Sequence, residues 1–223
     1  MQASDKNRRE GEPGAVSGII LAGGRSSRMG TDKAQLPLGG QTLLERQAEK
    51  LRALGIDDIL ISGAAVSLPC ARLIADRVPG CGPLGGLYAC FSAAKHQNCL
   101  VLCVDVPLVP LRSLAELLEA HLEGDTDATL LEQGGFPEPL LGVYRAALAE
   151  QIAPLLRDGE FAVRAFLRRI RLQTVPYTGD ALLLTNCNTP EDYRKLWALT
   201  EEQSGNCHFE EIMESSGLGA EPG

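Results

Sequence analysis

Ile19-Ile20-Leu21-Ala22-Gly23-Gly24-Arg25-Ser26-Ser27-Arg28-Met29-Gly30-Thr31-Asp32-Lys33 decides how this chain is read. An apolar run of the kind that forms a strand buried on both faces stops at two glycines, then gives way to a polar loop holding two arginines and a lysine. Glycines let backbone N–H groups come close to an anion because no Cβ intervenes, and the cations beyond them can neutralise a polyphosphate. The spacing excludes two common phosphate loops. A Walker A sequence needs Gly-Lys-Ser/Thr in succession, whereas Thr31 and Asp32 separate Gly30 from Lys33; the Gly-x-Gly-x-x-Gly pattern is also missing here.

Outward from this stretch, strands and helices alternate. The first strand is predicted over Val16 to Leu21. Thr42-Leu43-Leu44-Glu45 has the form of a capping box and opens a helix to about Ala53, closed by Gly55. Strands are expected over Asp58 to Ser62 and over Arg72 to Ala75, the latter ending in Asp76. Val78 to Gly86 is so rich in Gly and Pro that a loop is expected, followed by a helix from Leu87 to Ala94. Cys99 to Val104 is the most strand-like run and leads into Asp105-Val106-Pro107. Beyond it we expect a helix over Leu111–Leu122, strands over Ala128–Leu131 and Leu140–Tyr144 with a turn at Gly134-Gly135, and helices over Arg145–Leu156 and Val163–Arg168. Strands near Leu172–Val175 and Leu182–Leu184 follow. Thr189 caps a last helix with Pro190 at its first position. This alternation predicts an α/β domain, a mainly parallel twisted sheet with helices on both faces, over residues 16–200. Residues 1–15 read as a flexible leader and 201–223 as a disordered acidic tail.

The 223 residues suit one core. No apolar run approaches a membrane span, and Met1 to Gly14 lacks the apolar segment of a signal peptide, so a cytoplasmic protein without a membrane partner is expected. Seven cysteines, none in a Cys-x-x-Cys pair, read as reduced thiols, mostly buried. The formal net charge of −8 does not argue against a polyanionic ligand, because Glu201, Glu202, Glu210, Glu211, Glu214 and Glu221 crowd the tail without a Lys or Arg. Local cations must hold any phosphates. Nucleic acid is not expected as a partner, since no basic block with interleaved aromatics is present. His96, His121 and His208 read as surface residues.

Leu-Ala-Gly-Gly-x-x-x-Arg-Met-Gly-x-Asp-Lys after a first strand resembles the signature of the molybdenum cofactor guanylyltransferases, within the nucleotidyltransferase superfamily. The resemblance runs from about Ile19 to Leu199. It implies a Rossmann-like nucleotidyltransferase fold, GTP and molybdopterin cofactor as substrates, Mg²⁺ as cofactor, and cofactor-synthesis or acceptor molybdoenzymes as protein partners. It further implies that Leu21, Ala22, Gly23, Gly24, Arg28 and Lys33 meet the nucleotide, with Arg28 and Lys33 facing the triphosphate in a catalytic role.

Asp105 is the strongest candidate beyond the glycine loop. A carboxylate at the carboxyl end of a buried strand sits where open α/β sheets bind ligands, and Mg²⁺ in nucleotide-dependent transfer is held by one or two carboxylates plus the phosphates. The plainer alternative is an Asp that caps the following turn. Cys103-Val104-Asp105-Val106-Pro107 matches the resembled family's Cys-x-Asp-x-Pro, which binds metal and GTP. Asp76 can accept from the N1–H and N2–H₂ edge of guanine or from ribose hydroxyls, or be a solvated strand end. By the resemblance Ser62 stands beside the base where the family often has Asn, Gly86 lies in a loop beneath the nucleotide, and Asn186 and Asn188 belong to the second substrate's segment. Arg164, Arg168, Arg169 and Arg171 read as a solvated helix face, or else as partners of a second phosphate-bearing substrate. A cytidylyl- or sugar-phosphate nucleotidyltransferase and a non-catalytic GTP-binding module remain the competing readings.

Overall fold

A computed structural model gives the fold and describes residues 16–23, 32–65, 67–75 and 80–204. Among them the strands are β1 (Val16–Leu21), β2 (Pro37–Leu38), β3 (Gln41–Thr42), β4 (Asp58–Ser62), β5 (Arg72–Ile74), β6 (Asn98–Cys103), β7 (Ala128–Gln133), β8 (Phe136–Arg145) and β9 (Leu172–Pro176). The helices are α1 (Leu43–Ala53), α2 (Gly82–Ala93), α3 (Leu111–Glu123), α4 (Ala149–Arg157), α5 (Val163–Leu167) and α6 (Pro190–Ser204).

Seven of the strands form one sheet in the order β5-β4-β1-β6-β8-β7-β9. β1 lies inside it and is buried at every position, as its unbroken apolar run requires. It pairs in parallel with β4 and with β6, so that Leu21 stands level with both Ser62 and Cys103. The loops after β1, β4 and β6 therefore open on one edge. β8 reverses direction beside β6, and β7 and β9 run parallel to each other beyond it. The hairpin between β7 and β8 turns at Gly134 and Gly135, both with positive φ, as two adjacent glycines allow.

Covering helices follow from local sequence. At the start of α1, Thr42 Oγ1 accepts from Glu45 N while Glu45 Oε2 accepts from Thr42 N, completing the expected capping box. Gly18 lets α1 lie against β1: a Cβ there would stand 2.6 Å from Leu51 Cδ1.

Several expectations need correction. The Gly-Pro stretch is not a loop throughout, because α2 begins at Gly82, with Pro83 in a first turn where no intrahelical N–H is needed. Gly86 serves packing: a Cβ there would stand 2.8 Å from Ser62 Oγ and 3.0 Å from Leu21 Cδ2. Ala181–Leu184 is a 3-10 turn, not a strand, begun by Asp180 accepting from Leu182 N. His121 is not on the surface; it is buried beside Thr129, 2.9 Å from that hydroxyl. The last helix passes Thr200 and ends at Ser204. No disulfide joins the described cysteines, and Cys81, Cys90, Cys99, Cys103 and Cys187 are buried while Cys70 is exposed. Among the described residues no helix is long and apolar enough to cross a membrane.

Candidate active site

β1, β4 and β6 deliver three chain segments to the same edge of the sheet. Leu21 and Ala22 are buried, and Ala22 N donates to Ser62 O at 2.8 Å, tying the first loop to the end of β4. Gly23 and Gly63 then approach backbone to backbone. Gly63 has a φ of +80°, and a Cβ built on it would strike Cα and N of Gly23. Glycine is required at Gly63 both for its conformation and for this contact.

Beyond the glycine loop the chain returns at Asp32, whose Oδ1 accepts from Ala34 N at 3.0 Å and starts a 3-10 turn over Lys33–Gln35. Ala34 is fully buried and anchors the turn, so Lys33 projects from a fixed base. Its Nζ reaches Asp105 Oδ1 at 3.1 Å and Asn188 Oδ1 at 2.9 Å. Three residues from distant parts of the sequence thus meet at one ammonium group. The Lys33 side chain is 13% exposed and that of Asp105 35%, which leaves the carboxylate open to a ligand.

The Asp105 segment follows β6 directly. Val104 N donates to Leu21 O at 3.1 Å, and Cys187 N donates to Asp105 O at 2.7 Å, joining it to the Asn186-Cys187-Asn188 segment. On that segment Asn188 N and Thr189 N both donate to Asp192 Oδ2, and Asp192 N donates back to Thr189 Oγ1. Thr189 therefore caps α6 as its sequence indicates. Burial, first, and the nearby Asp105 charge push the Cys103 thiol up to about 12, and burial likewise pushes Cys187 up to about 12 against the opposing pull of Lys33. Neither sulfur is a thiolate at neutral pH, which removes both as nucleophiles.

A cleft of about 390 Å³ opens beside this cluster, lined among others by Pro83, Asp105, Glu138, Arg164 and Asn186. Its mixed lining offers an apolar wall with two acids, Asp105 and Glu138, and one base, Arg164. Burial raises the Glu138 carboxyl, and Arg164 opposes that rise. The arginine group does not act as one face: Arg169 pairs with Glu160 at 2.6 Å and Arg171 with Asp125 and Asp127, whereas Arg164 lines the cleft.

Lys33, Asp105, Asn186 and Asn188 thus come together. Leu21, Ala22 and Gly23 lie on the neighbouring strand end, and Gly86 is buried in α2. Ser62 is 3% exposed beneath Gly86 rather than lining the cleft. Gly24, Arg28 and Asp76 lie outside the described residues. Sequence reasoning missed Gln47 and Lys50, which reach the Asp105 segment from α1; Gln47 falls in the stripe of Leu44, Ala48 and Leu51, and a polar residue in such a stripe is the available signal. It also missed Glu138, for which the sequence offers no signal.

Chemically, the cluster presents a lysine for an anion and hard oxygen donors for a divalent cation. Among the described residues no three His, Cys, Asp or Glu side chains gather to hold a metal by themselves. An ion here must complete its shell with ligand oxygens and water.

Residues 18–175 match the family described as the MobA-like NTP transferase domain. A "Probable molybdenum cofactor guanylyltransferase" of Carboxydothermus hydrogenoformans is 35% identical over 190 residues, covering 79% of this chain and 92% of its own. The molybdenum cofactor guanylyltransferase of Xanthomonas euvesicatoria is 34% identical, covering 81% and 93%. In solved structures, the fold is shared with molybdopterin-guanine dinucleotide biosynthesis protein A of Archaeoglobus fulgidus, with a TM-score of 0.72 at 23% identity, over 83% of this chain and 99% of that one.

Proposed function

The chain belongs to the MobA-like NTP transferase family, and on that premise we propose that it is a molybdenum cofactor guanylyltransferase. It transfers GMP from GTP to molybdenum-bound molybdopterin, forming molybdopterin guanine dinucleotide and pyrophosphate. The observation that carries this reading is the meeting of Lys33, Asp105 and Asn188 at the carboxyl edge of the sheet, beside a cleft large enough for a second substrate.

The reaction needs no protein nucleophile. A phosphate oxygen of the pterin substrate attacks the α-phosphorus of GTP, a new P–O bond forms, and the bond to the β-phosphate oxygen breaks as pyrophosphate leaves. Catalysis then rests on alignment and charge neutralisation. Lys33, together with Arg28, faces the triphosphate. Gly23 and Gly24 let backbone approach it closely, with Leu21 and Ala22 at the strand end and Gly86 in the segment beneath the nucleotide. Asp76 and Ser62 belong to the base and ribose side, and Asn186 and Asn188 to the side of the pterin. The donor set fits Mg²⁺: Asp105 would hold it, and when bound it would neutralise the phosphate oxygens on which negative charge grows. One domain over residues 16–200 carries these parts, working in the cytoplasm.

The test is pyrophosphate release from GTP with molybdenum-loaded molybdopterin. A folded protein that binds GTP but releases none would be a binding module, and thermal stabilisation by CTP with no response to GTP would reject the guanine reading.

A further inference from the structure

The loop that carries Asp105 is held from one side by a single helix. Gln47 of α1 is fully buried, and its amide donates to Cys103 O at 2.6 Å and to Val106 O at 2.9 Å, carbonyls on either side of Asp105. Three positions later on the same helix face, Lys50 Nζ donates to Pro107 O at 2.5 Å and lies 3.4 Å from Gln47 Oε1. With Cys187 N on Asp105 O, the carbonyls of Cys103, Asp105, Val106 and Pro107 all have donors. Apolar side chains at these positions would leave the Cys103, Val106 and Pro107 carbonyls without these donors. A buried amide is costly unless its donors are used, and here Gln47, with the half-buried Lys50 beside it, turns its donors onto the loop that carries Asp105. The ammonium has no carboxylate partner among the described residues, and burial, then the neighbouring Arg46 charge, lowers it to about 7.

We infer that Gln47 and Lys50 are positioning residues that fix the Asp105 carboxylate for ion binding, so that α1 belongs to the metal site without touching the ion. The inference rests on the proposed role of Asp105.

The decisive experiment measures Mn²⁺ affinity by electron paramagnetic resonance, in the full chain with a non-hydrolysable GTP analogue bound. Four variants are compared with wild type: Gln47→Met, Lys50→Met, Asp105→Asn and the control Ser17→Ala, which removes a buried hydrogen bond to Asp58 away from this loop. Gln47→Met should weaken Mn²⁺ about tenfold or more and Lys50→Met about threefold, as for residues that orient a ligand. Analogue affinity without metal should stay within about twofold, and turnover should recover as Mg²⁺ is raised. Ser17→Ala should lower the melting temperature yet leave Mn²⁺ affinity unchanged. A Gln47→Met protein with unaltered Mn²⁺ affinity overturns the inference, and so does an equal loss in Ser17→Ala, which would make the effect one of general stability. If Gln47→Met does not fold, Lys50→Met decides: unaltered Mn²⁺ affinity overturns, a loss supports. Loss in Asp105→Asn but in neither α1 variant rejects the clamp alone. No loss in Asp105→Asn rejects the metal reading and the clamp with it.

Discussion

Two aspartates at opposite ends of the parallel strands have opposite surroundings. Asp58 opens β4 at the amino edge, its side chain 3% exposed, and accepts from Ser17 Oγ at 2.6 Å, Arg72 at 2.7 Å and Lys95 N at 3.0 Å. Burial pushes its carboxyl up, but Ser17, the Lys95 amide and Arg72 together outweigh that and hold it below the ordinary range. Asp105 follows β6 at the carboxyl edge, 35% exposed, and among the described residues its carboxylate meets one side chain, Lys33, shared with Asn188. The amino edge is closed on itself and contributes stability. The carboxyl edge keeps unused acceptor capacity and is where a ligand can contribute. The parallel strands create the distinction, because their carboxyl ends release successive loops toward one crevice.

Exchanging charge for amide at each end tests this contrast. Asp105→Asn keeps a near-isosteric side chain and one oxygen ligand, so the fold should survive while turnover falls on the order of a hundredfold, with the defect shrinking as Mg²⁺ rises. Normal turnover at sub-saturating Mg²⁺ would remove the difference between the two ends, and outright unfolding would make Asp105 a turn cap. Lys33→Ala should leave the melting temperature nearly intact and weaken GTP by about ten- to a hundredfold, the loss of one charge-assisted contact. Calorimetry showing wild-type affinity would take Lys33 out of the site.

Asp58→Asn should do the reverse. Its new N–H₂ would face donors, costing about 2 kcal/mol, a value reduced because Arg72 is well exposed; the melting temperature should drop by roughly 4–8 °C. Catalysis per folded molecule should be unchanged. Because the folded carboxyl is depressed, its stabilisation is present above the unfolded value near 3.8 and is lost as pH falls through the folded one, so the Asn variant and wild type should converge in strong acid.

At neutral pH the smallest effect belongs to His121, in the antiparallel half beside Thr129 of β7. Burial, then Arg145, lowers it to about 4 from 6.5. Between those values the unfolded chain takes up a proton that the folded chain refuses, so stability falls as pH drops from about 6.5 to about 4, by no more than about 1.4 kcal/mol per pH unit. Denaturant titrations of His121→Gln should lack that slope; an identical slope in both proteins would assign it to other groups.

What was legible in the sequence was what local chemistry dictates. β1 and the capping box of α1 were legible because an apolar run and a Thr-x-x-Glu pair specify their structures without outside help. The place of Asp105 at the carboxyl edge was legible because it follows such a run directly. α2 was misread because Gly82, Gly85 and Gly86 look like loop residues, and for Gly86 the reason for glycine is seen only once the strand ends packed against it, Leu21 and Ser62, are known. Leu182–Leu184 has strand-like residues, yet Asp180 bonds to Leu182 N and turns the chain first. His121 was readable and was misassigned: Leu114, Leu117 and Leu118 put it on the buried stripe of α3. The Lys33–Asn188 contact could not be read, since no local rule brings those positions together.

That contact spans 155 positions of chain. The seven-stranded sheet has all of its residues once Pro176 is made, and the family match ends at 175, yet Asn188 and the helix that follows it are still to come. During synthesis, which proceeds from the amino terminus at about 5–20 residues per second, the sheet can close while Lys33 and Asp105 still await their third member. Tyr193 Oη then binds Pro37 O, docking α6 onto the hairpin just past Lys33. The last helix and the segment before it thereby complete the Lys33 cluster, and a chain cut after Pro176 retains every strand of the sheet but not that cluster.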